Sequence, residues 1–180
     1  MNLILQIIYF LLPAALANMM PVFMKNKMPY LNKPLDFNFK LGKNRILGDN
    51  KTFRGLVSGI IGAVIIVYIQ LILYDFKLFR DLSLINYSTI NFLVFGFLIG
   101  FGVIFGDAIG SFIKRRFNII PGKSLLLIDQ INGIIGLAVF VYLFYLASLK
   151  IYFYSLIIWI LGHFLFKFIG YLLKIDKEAI

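Results

Sequence analysis

The sequence predicts an all-α, polytopic integral membrane protein that crosses the bilayer five times, and three observations predict it. Of 180 residues, 61% are hydrophobic, and the mean hydropathy is +0.92. A soluble domain of this length cannot hide that much apolar surface. The apolar residues fall in uncharged runs of about 20, the length that spans a hydrocarbon core. The net charge of +10 is gathered between those runs, the pattern membrane topology produces, so it does not point to a nucleic-acid partner. There is no cysteine, which excludes disulfides and thiolate–metal sites.

In chain order, residues 1–23 form the first expected span. It lacks the basic leader and small-residue cleavage site of a signal peptide, so it is read as retained. Pro13 is expected to kink it. Residues 24–54 carry Lys25, Lys27, Lys33, Lys40, Lys43, Arg45, Lys51 and Arg54 against Asp36 and Asp49. Pro29, Pro34, Gly42 and Gly48 punctuate this segment, which therefore reads as loop with at most a short interfacial helix. The second span is 55–74, where Gly55, Gly59 and Ala63, and also Ser58 and Gly62, recur at intervals of four and allow close helix contact. Residues 75–89 read as a mixed loop whose Asp75 and Asp81 are solvated. The third span is 90–113, with Gly102, Gly106 and Gly110 again four apart. A basic hairpin follows at 114–123, then a fourth span at 124–148 and a fifth at 151–173. Trp159 and the many Tyr and Phe residues are expected to meet lipid and anchor the interface. His163, among Phe164, Phe166 and Phe168, reads as a packing residue.

Five spans put the termini on opposite sides. The loops 24–54 and 114–123 share a side with the C-terminal tail and carry most of the basic residues. The positive-inside rule places that side in the cytoplasm and the N-terminus outside.

The stretch from Phe105 to Gly133, FGDAIGSFIKRRFNIIPGKSLLLIDQING, leaves one span, makes the basic hairpin and enters the next. Asp107 lies seven residues before Lys114, and Asp129 six after Lys123. In two helices each carboxylate would lie about 9–10 Å inside the hairpin, at matched depth. Asp107, Gly110, Ser111 and Lys114 share a face. An acid within an apolar span is costly and marks a functional site by default; two beside a basic loop suggest a metal site that handles phosphate. Alternatively, the acids form structural ion pairs with Lys114 or Arg115, and Lys114-Arg115-Arg116 is a topology anchor. Gly48–Gly55 lacks the spacing of a phosphate loop. It does place Asn50, Lys51, Thr52 and Arg54 just ahead of a helix N-terminus, which suits an anionic phosphate.

The order Gly106-Asp107, Gly110-Ser111, Lys114-Arg115-Arg116, Pro121-Gly122, Asp129-Gln130 resembles the CDP-archaeol synthase family, itself related to the CDP-diacylglycerol synthases. The resemblance extends to Lys33-Pro34-Leu35-Asp36-Phe37, to Gly48–Gly55, and to Pro13-Ala14, Ala17-Asn18 and Pro21. Where that family often has an acid three residues after the counterpart of Asp129, this chain has Asn132. The resemblance implies CMP transfer from CTP to 2,3-bis-O-(geranylgeranyl)glycerol 1-phosphate with magnesium held by Asp107 and Asp129. Lys51 and Arg116 would join the two acids in catalysis. Lys51, Arg54, Lys114, Arg115, Arg116 and Lys123 would neutralise the phosphates of CTP and the isoprenoid lipid. Asn50, Thr52 and Gln130 would orient nucleotide or metal-bound water, with Ser111 on the same helix face as Asp107. Two rivals are a CDP-diacylglycerol synthase acting on phosphatidic acid and a small cation- or proton-coupled transporter.

Overall fold

In the computed structural model, residues 2–120, 125, 128–141 and 148–172 are described, without the side chains of 167 and 169–172. The elements are α1 (Leu3–Phe23), a 3-10 turn (Pro29–Leu31), β1 (Lys40–Leu41), β2 (Asn44–Arg45), α2 (Phe53–Leu73) and α3 (Lys77–Leu82). A second 3-10 turn (Tyr87–Thr89), α4 (Phe92–Arg116), α5 (Ile128–Val141) and α6 (Leu149–Leu172) follow. Among the described residues four helices, α1, α2, α4 and α6, are long and apolar enough to cross a membrane. The fourth expected span appears as α5, of 14 residues, and its expected ends at 124, 126–127 and 142–147 lie outside the described residues, as does the tail after Leu172.

Glycine decides how the bundle packs. On α4, Gly96 and Gly100 face α2: a Cβ at either would stand 2.7 Å from the Val64 Cα or 2.6 Å from the Ile60 Cα. The Gly102, Gly106 and Gly110 stripe faces α5, where a Cβ on Gly106 would be 2.0 Å from the Asn132 carbonyl oxygen. No residue with a side chain fits at such distances, so α4 sits backbone-to-backbone between two neighbours. On α2, Gly59 meets Ile104 and the Ala17 carbonyl, and Gly62 meets Met20. The core between these helices includes Ile7, Ala14, Ala17, Val67, Phe95, Ile99 and Val103.

Helix α1 contains both Pro13 and Pro21. Several expectations are corrected. The 24–54 segment is not only loop, because residues 40–45 form an antiparallel hairpin with Lys40 opposite Arg45. Gly42, at φ +68°, supplies the left-handed backbone that a two-residue hairpin turn needs. The 75–89 segment holds α3 and a 3-10 turn, because Ile85 and Tyr87 are buried against the helix ends. Gln70 donates to the Tyr9 carbonyl (2.6 Å) and accepts from the Tyr87 hydroxyl (2.7 Å), closing that end of the bundle. Trp159 is buried, not lipid-facing: its indole lies 3.0 Å from where a Gly133 Cβ would be, in the space that glycine leaves. Asp75 and Asp81 are exposed, as expected.

Candidate active site

The site lies at the end of the bundle where α1 and α4 finish and α2 and α5 begin. Lys114, Arg115 and Arg116 are not loop residues but the last turn of α4, where cations favour the negative end of the helix dipole. The hairpin rests on this turn. Asn44 donates to the Arg115 carbonyl (3.0 Å) and to the Asn118 side chain (2.7 Å). Arg116 donates to the carbonyls of Leu41 (2.7 Å) and Arg45 (2.9 Å), and its guanidinium lies 5.3 Å from the Phe112 ring centroid.

Two acid–base pairs form the centre. Lys51, from the turn before α2, pairs with Asp107 on α4. Lys114 on α4 pairs with Asp129 in the first turn of α5 at 2.6 Å. The carboxylates are not at matched depth. Asp129 is level with Lys114 and accepts from the Leu125 amide (2.9 Å), whereas Asp107 accepts from Asn132 (3.5 Å). Asn132 is three residues, about 4.5 Å of helical rise, deeper than Asp129. The position where the resembled family often has an acid thus stands against the Asp107 carboxylate.

The remaining expected residues divide. Thr52 is the N-cap of α2, its hydroxyl accepting from the Gly55 amide at 3.2 Å, and Asn50 is exposed beside it. Arg115 is buried and donates to the Ile119 carbonyl. Ser111 is buried on α4. Lys123 lies outside the described residues. Among the described residues, four buried polar atoms at this end lack a partner: the Nε of Arg54, Arg115 and Arg116, and Oε1 of Gln130. Unpaired buried donors are costly, and three guanidinium groups at this end are suited to a polyanion.

Sequence reasoning did not assign two features. Asp36 is buried at the centre of the hairpin loop; the signal was an acid in a segment with eight cations. An apolar groove of about 340 Å³, lined by Leu35, Leu47, Leu56, Phe101, Phe105 and Phe112 among others, runs along the stretch of α4 that carries Asp107, which is not itself in the lining. It draws on three segments far apart in the chain.

As ligands for a divalent cation, Asp107 and Asp129 offer only oxygens. No group of three or more Asp, Glu, His or Cys occurs among the described residues. That donor set fits magnesium, which is commonly held by one or two carboxylates together with substrate phosphates and water.

The bundle, with membrane-length helices and paired lysines and carboxylates at one end, has the class of an intramembrane enzyme by its likeness to known proteins. Residues 1–179 match the sequence signature described as CarS-like, CDP-archaeol synthase. The CDP-archaeol synthase of Methanococcus maripaludis strain S2 is 37% identical over 97% of this chain and 96% of its own. That of Archaeoglobus fulgidus is 39% identical over 73% and 70%, and that of Methanocaldococcus jannaschii 36% identical over 75% and 78%. A solved structure described as an intramembrane enzyme for archaeal membrane lipid biosynthesis has a TM-score of 0.67 at 28% identity, covering 87% of this chain and 89% of that one. The chain belongs to the CDP-archaeol synthase family and is a membrane cytidylyltransferase.

Proposed function

We propose that the chain transfers CMP from CTP to 2,3-bis-O-(geranylgeranyl)glycerol 1-phosphate, yielding CDP-activated unsaturated archaeol and pyrophosphate. The observation that carries this reading is the juxtaposition of the Lys51–Asp107 and Lys114–Asp129 pairs with an apolar groove. The groove takes an isoprenoid chain from the bilayer and leaves the lipid phosphate beside Asp107. An oxygen of that phosphate forms a bond to the α-phosphorus of CTP. The bond from that phosphorus to the bridging oxygen of the β-phosphate breaks, and its electron pair leaves with pyrophosphate. Little covalent work falls to the protein, so catalysis is positioning and charge neutralisation. Lys51 and Lys114 turn from their carboxylates to the phosphates as these arrive. Arg54, Arg115 and Arg116 ring the triphosphate, and Asn50 and Gln130 orient the nucleotide. Asp107 and Asp129 would hold magnesium, which when bound would supply charge neutralisation to the phosphates.

In this reading the chain crosses the cell membrane five times, α5 being the described part of the span over 124–148. The N-terminus is outside and the site faces the cytoplasm, where CTP is found. The basic loops support that orientation.

The test is transfer of radiolabelled CMP from CTP onto defined lipid phosphates in detergent. Magnesium-dependent labelling of the ether-linked isoprenoid acceptor is expected. Preference for phosphatidic acid would overturn the lipid assignment, and no product from either acceptor would overturn the transfer reaction.

A further inference from the structure

Asp36 has no place in the chemistry above, yet its side chain is wholly buried in a loop rich in lysine and arginine. Arg45 grips it through two nitrogens, Nε to Oδ2 at 3.3 Å and the other guanidinium contact to Oδ1. The amides of Leu47 (2.9 Å) and Gly48 (3.1 Å) donate to Oδ2, and that of Asn38 (3.1 Å) donates to Oδ1. These donors come from the loop itself and fill the acceptor sites of a carboxylate. Asp36 therefore has nothing left to offer a cation or a substrate.

What it organises lies on either side of the site. Immediately before it, the Leu35 amide donates to the Lys51 carbonyl (2.8 Å) and the Lys33 carbonyl accepts from Phe53 (2.9 Å). These bonds stitch 33–35 to 51–53. Beyond it, the Gly48 amide enters the turn, at φ +92°, that leads to Lys51. Lys51 then reaches Asp107. Leu35 precedes Asp36, Leu47 donates to it, and both line the apolar groove.

We propose that Asp36 is a positioning residue for both substrates. Its buried carboxylate ties the wall of the lipid groove to the turn that presents Lys51, so neither can be placed without the other. The proposal rests on the transfer reaction proposed above. Asp36→Asn keeps the shape but offers one oxygen where two are used. Its NH2 group must face either the Leu47 and Gly48 amides with the Arg45 Nε, or the Asn38 amide with the far end of the Arg45 guanidinium, and it leaves Arg45 with only the exposed Asp49 as counter-charge.

The experiment compares Asp36→Asn with Asp49→Asn, whose carboxylate also pairs with Arg45 but is 72% exposed. In Asp36→Asn the KM values for CTP and for the lipid phosphate should both rise at least about tenfold, with kcat within about threefold, as for binding lost equally from ground and transition states. Asp49→Asn should change either KM less than about twofold, as exposed pairs do. Because the chain has no native cysteine, a nitroxide on Asn50→Cys reports the turn without any reference to activity. Asp36→Asn should mobilise that label while leaving the melting temperature in detergent unchanged, since a loop can open without the bundle. If Asp36→Asn does not purify as a folded protein, Arg45→Gln withdraws the other half of the contact and should give the same split. An unchanged label spectrum with both KM values within twofold overturns the proposal. So does a loss of kcat that tracks a fall in melting temperature, which marks a purely structural residue. Absence of CMP transfer by the unsubstituted protein refutes the reaction instead, and the label still decides whether Asp36 holds the turn.

Discussion

Gly106→Ala tests the geometry on which the site depends. The added methyl would stand 2.0 Å from the Asn132 carbonyl oxygen, 2.9 Å from its carbon and 3.1 Å from the Gly136 Cα. All three atoms are backbone, so no side chain can swing aside. Carbon–oxygen contact becomes comfortable near ~3.4 Å, which means α4 and α5 must separate by about 1.4 Å there. Overpacking of this kind costs about 1–3 kcal/mol. Asp107 is the next residue on α4, and Asn132 is its neighbour on α5, so the same shift opens the site. A misplacement of about 1 Å costs roughly a hundredfold in rate. The assay is paired: melting in detergent and CMP transfer per folded molecule. Gly162→Ala is the control, because a Cβ there meets nothing within 4 Å. Gly106→Ala should melt lower and lose about two orders of magnitude in turnover, while Gly162→Ala should match the unsubstituted protein in both. If Gly106→Ala transfers CMP at the unsubstituted rate, α5 does not approach α4 as described.

Asp107→Asn and Asp129→Asn should each abolish CMP transfer with little further loss in the double variant, since residues that act as one unit are strongly non-additive; a normal rate in either single variant refutes the shared metal site. Single cysteines at Asn38 and Asn118 should react with an impermeant reagent only from the cytoplasmic side, and labelling from outside intact cells would reverse the orientation. Burial pushes the Asp36 carboxyl up, but its bonds from Arg45 and from the Leu47, Gly48 and Asn38 amides prevail and hold it at about 2. A depressed carboxyl stabilises the loop fully above its unfolded value of about 4. Order at a nitroxide on Asn50→Cys should therefore persist above about pH 4 and fall as pH drops through about 2.

The helices were legible because each apolar run is long enough to span and each glycine stripe repeats every four residues. The Gly102, Gly106 and Gly110 stripe foretold close contact, but not that α5 is the partner. Gly96 and Gly100 carry the same spacing and were passed over. The two acids were legible as costly residues in apolar segments. Their stagger was not, because it depends on how α4 and α5 slide past one another, which the spacing within either segment does not fix. The role of Asp36 is not legible in its motif, since five donors converge on it only after the 36–48 chain folds back. The groove was hidden for the same reason. Trp159 looked like an interface anchor because composition cannot reveal that Gly133 leaves room for an indole.

The two lysine–aspartate pairs carry a consequence for what the site admits. At rest each charge already has a partner, so an arriving ion must exchange for one that is in place. A bare anion that draws Lys51 and Lys114 away strands two half-buried carboxylates; a bare cation that takes the carboxylates strands two ammonium groups. Either intrusion leaves like charges facing each other in poorly hydrated surroundings. A ligand carrying both signs, a phosphate chain with its own cation, replaces both partners at once and strands nothing. In the proposed reaction the pairs would thus behave as a lock with two wards, closed to the simple salts that crowd a cell and open to the ion-paired nucleotide.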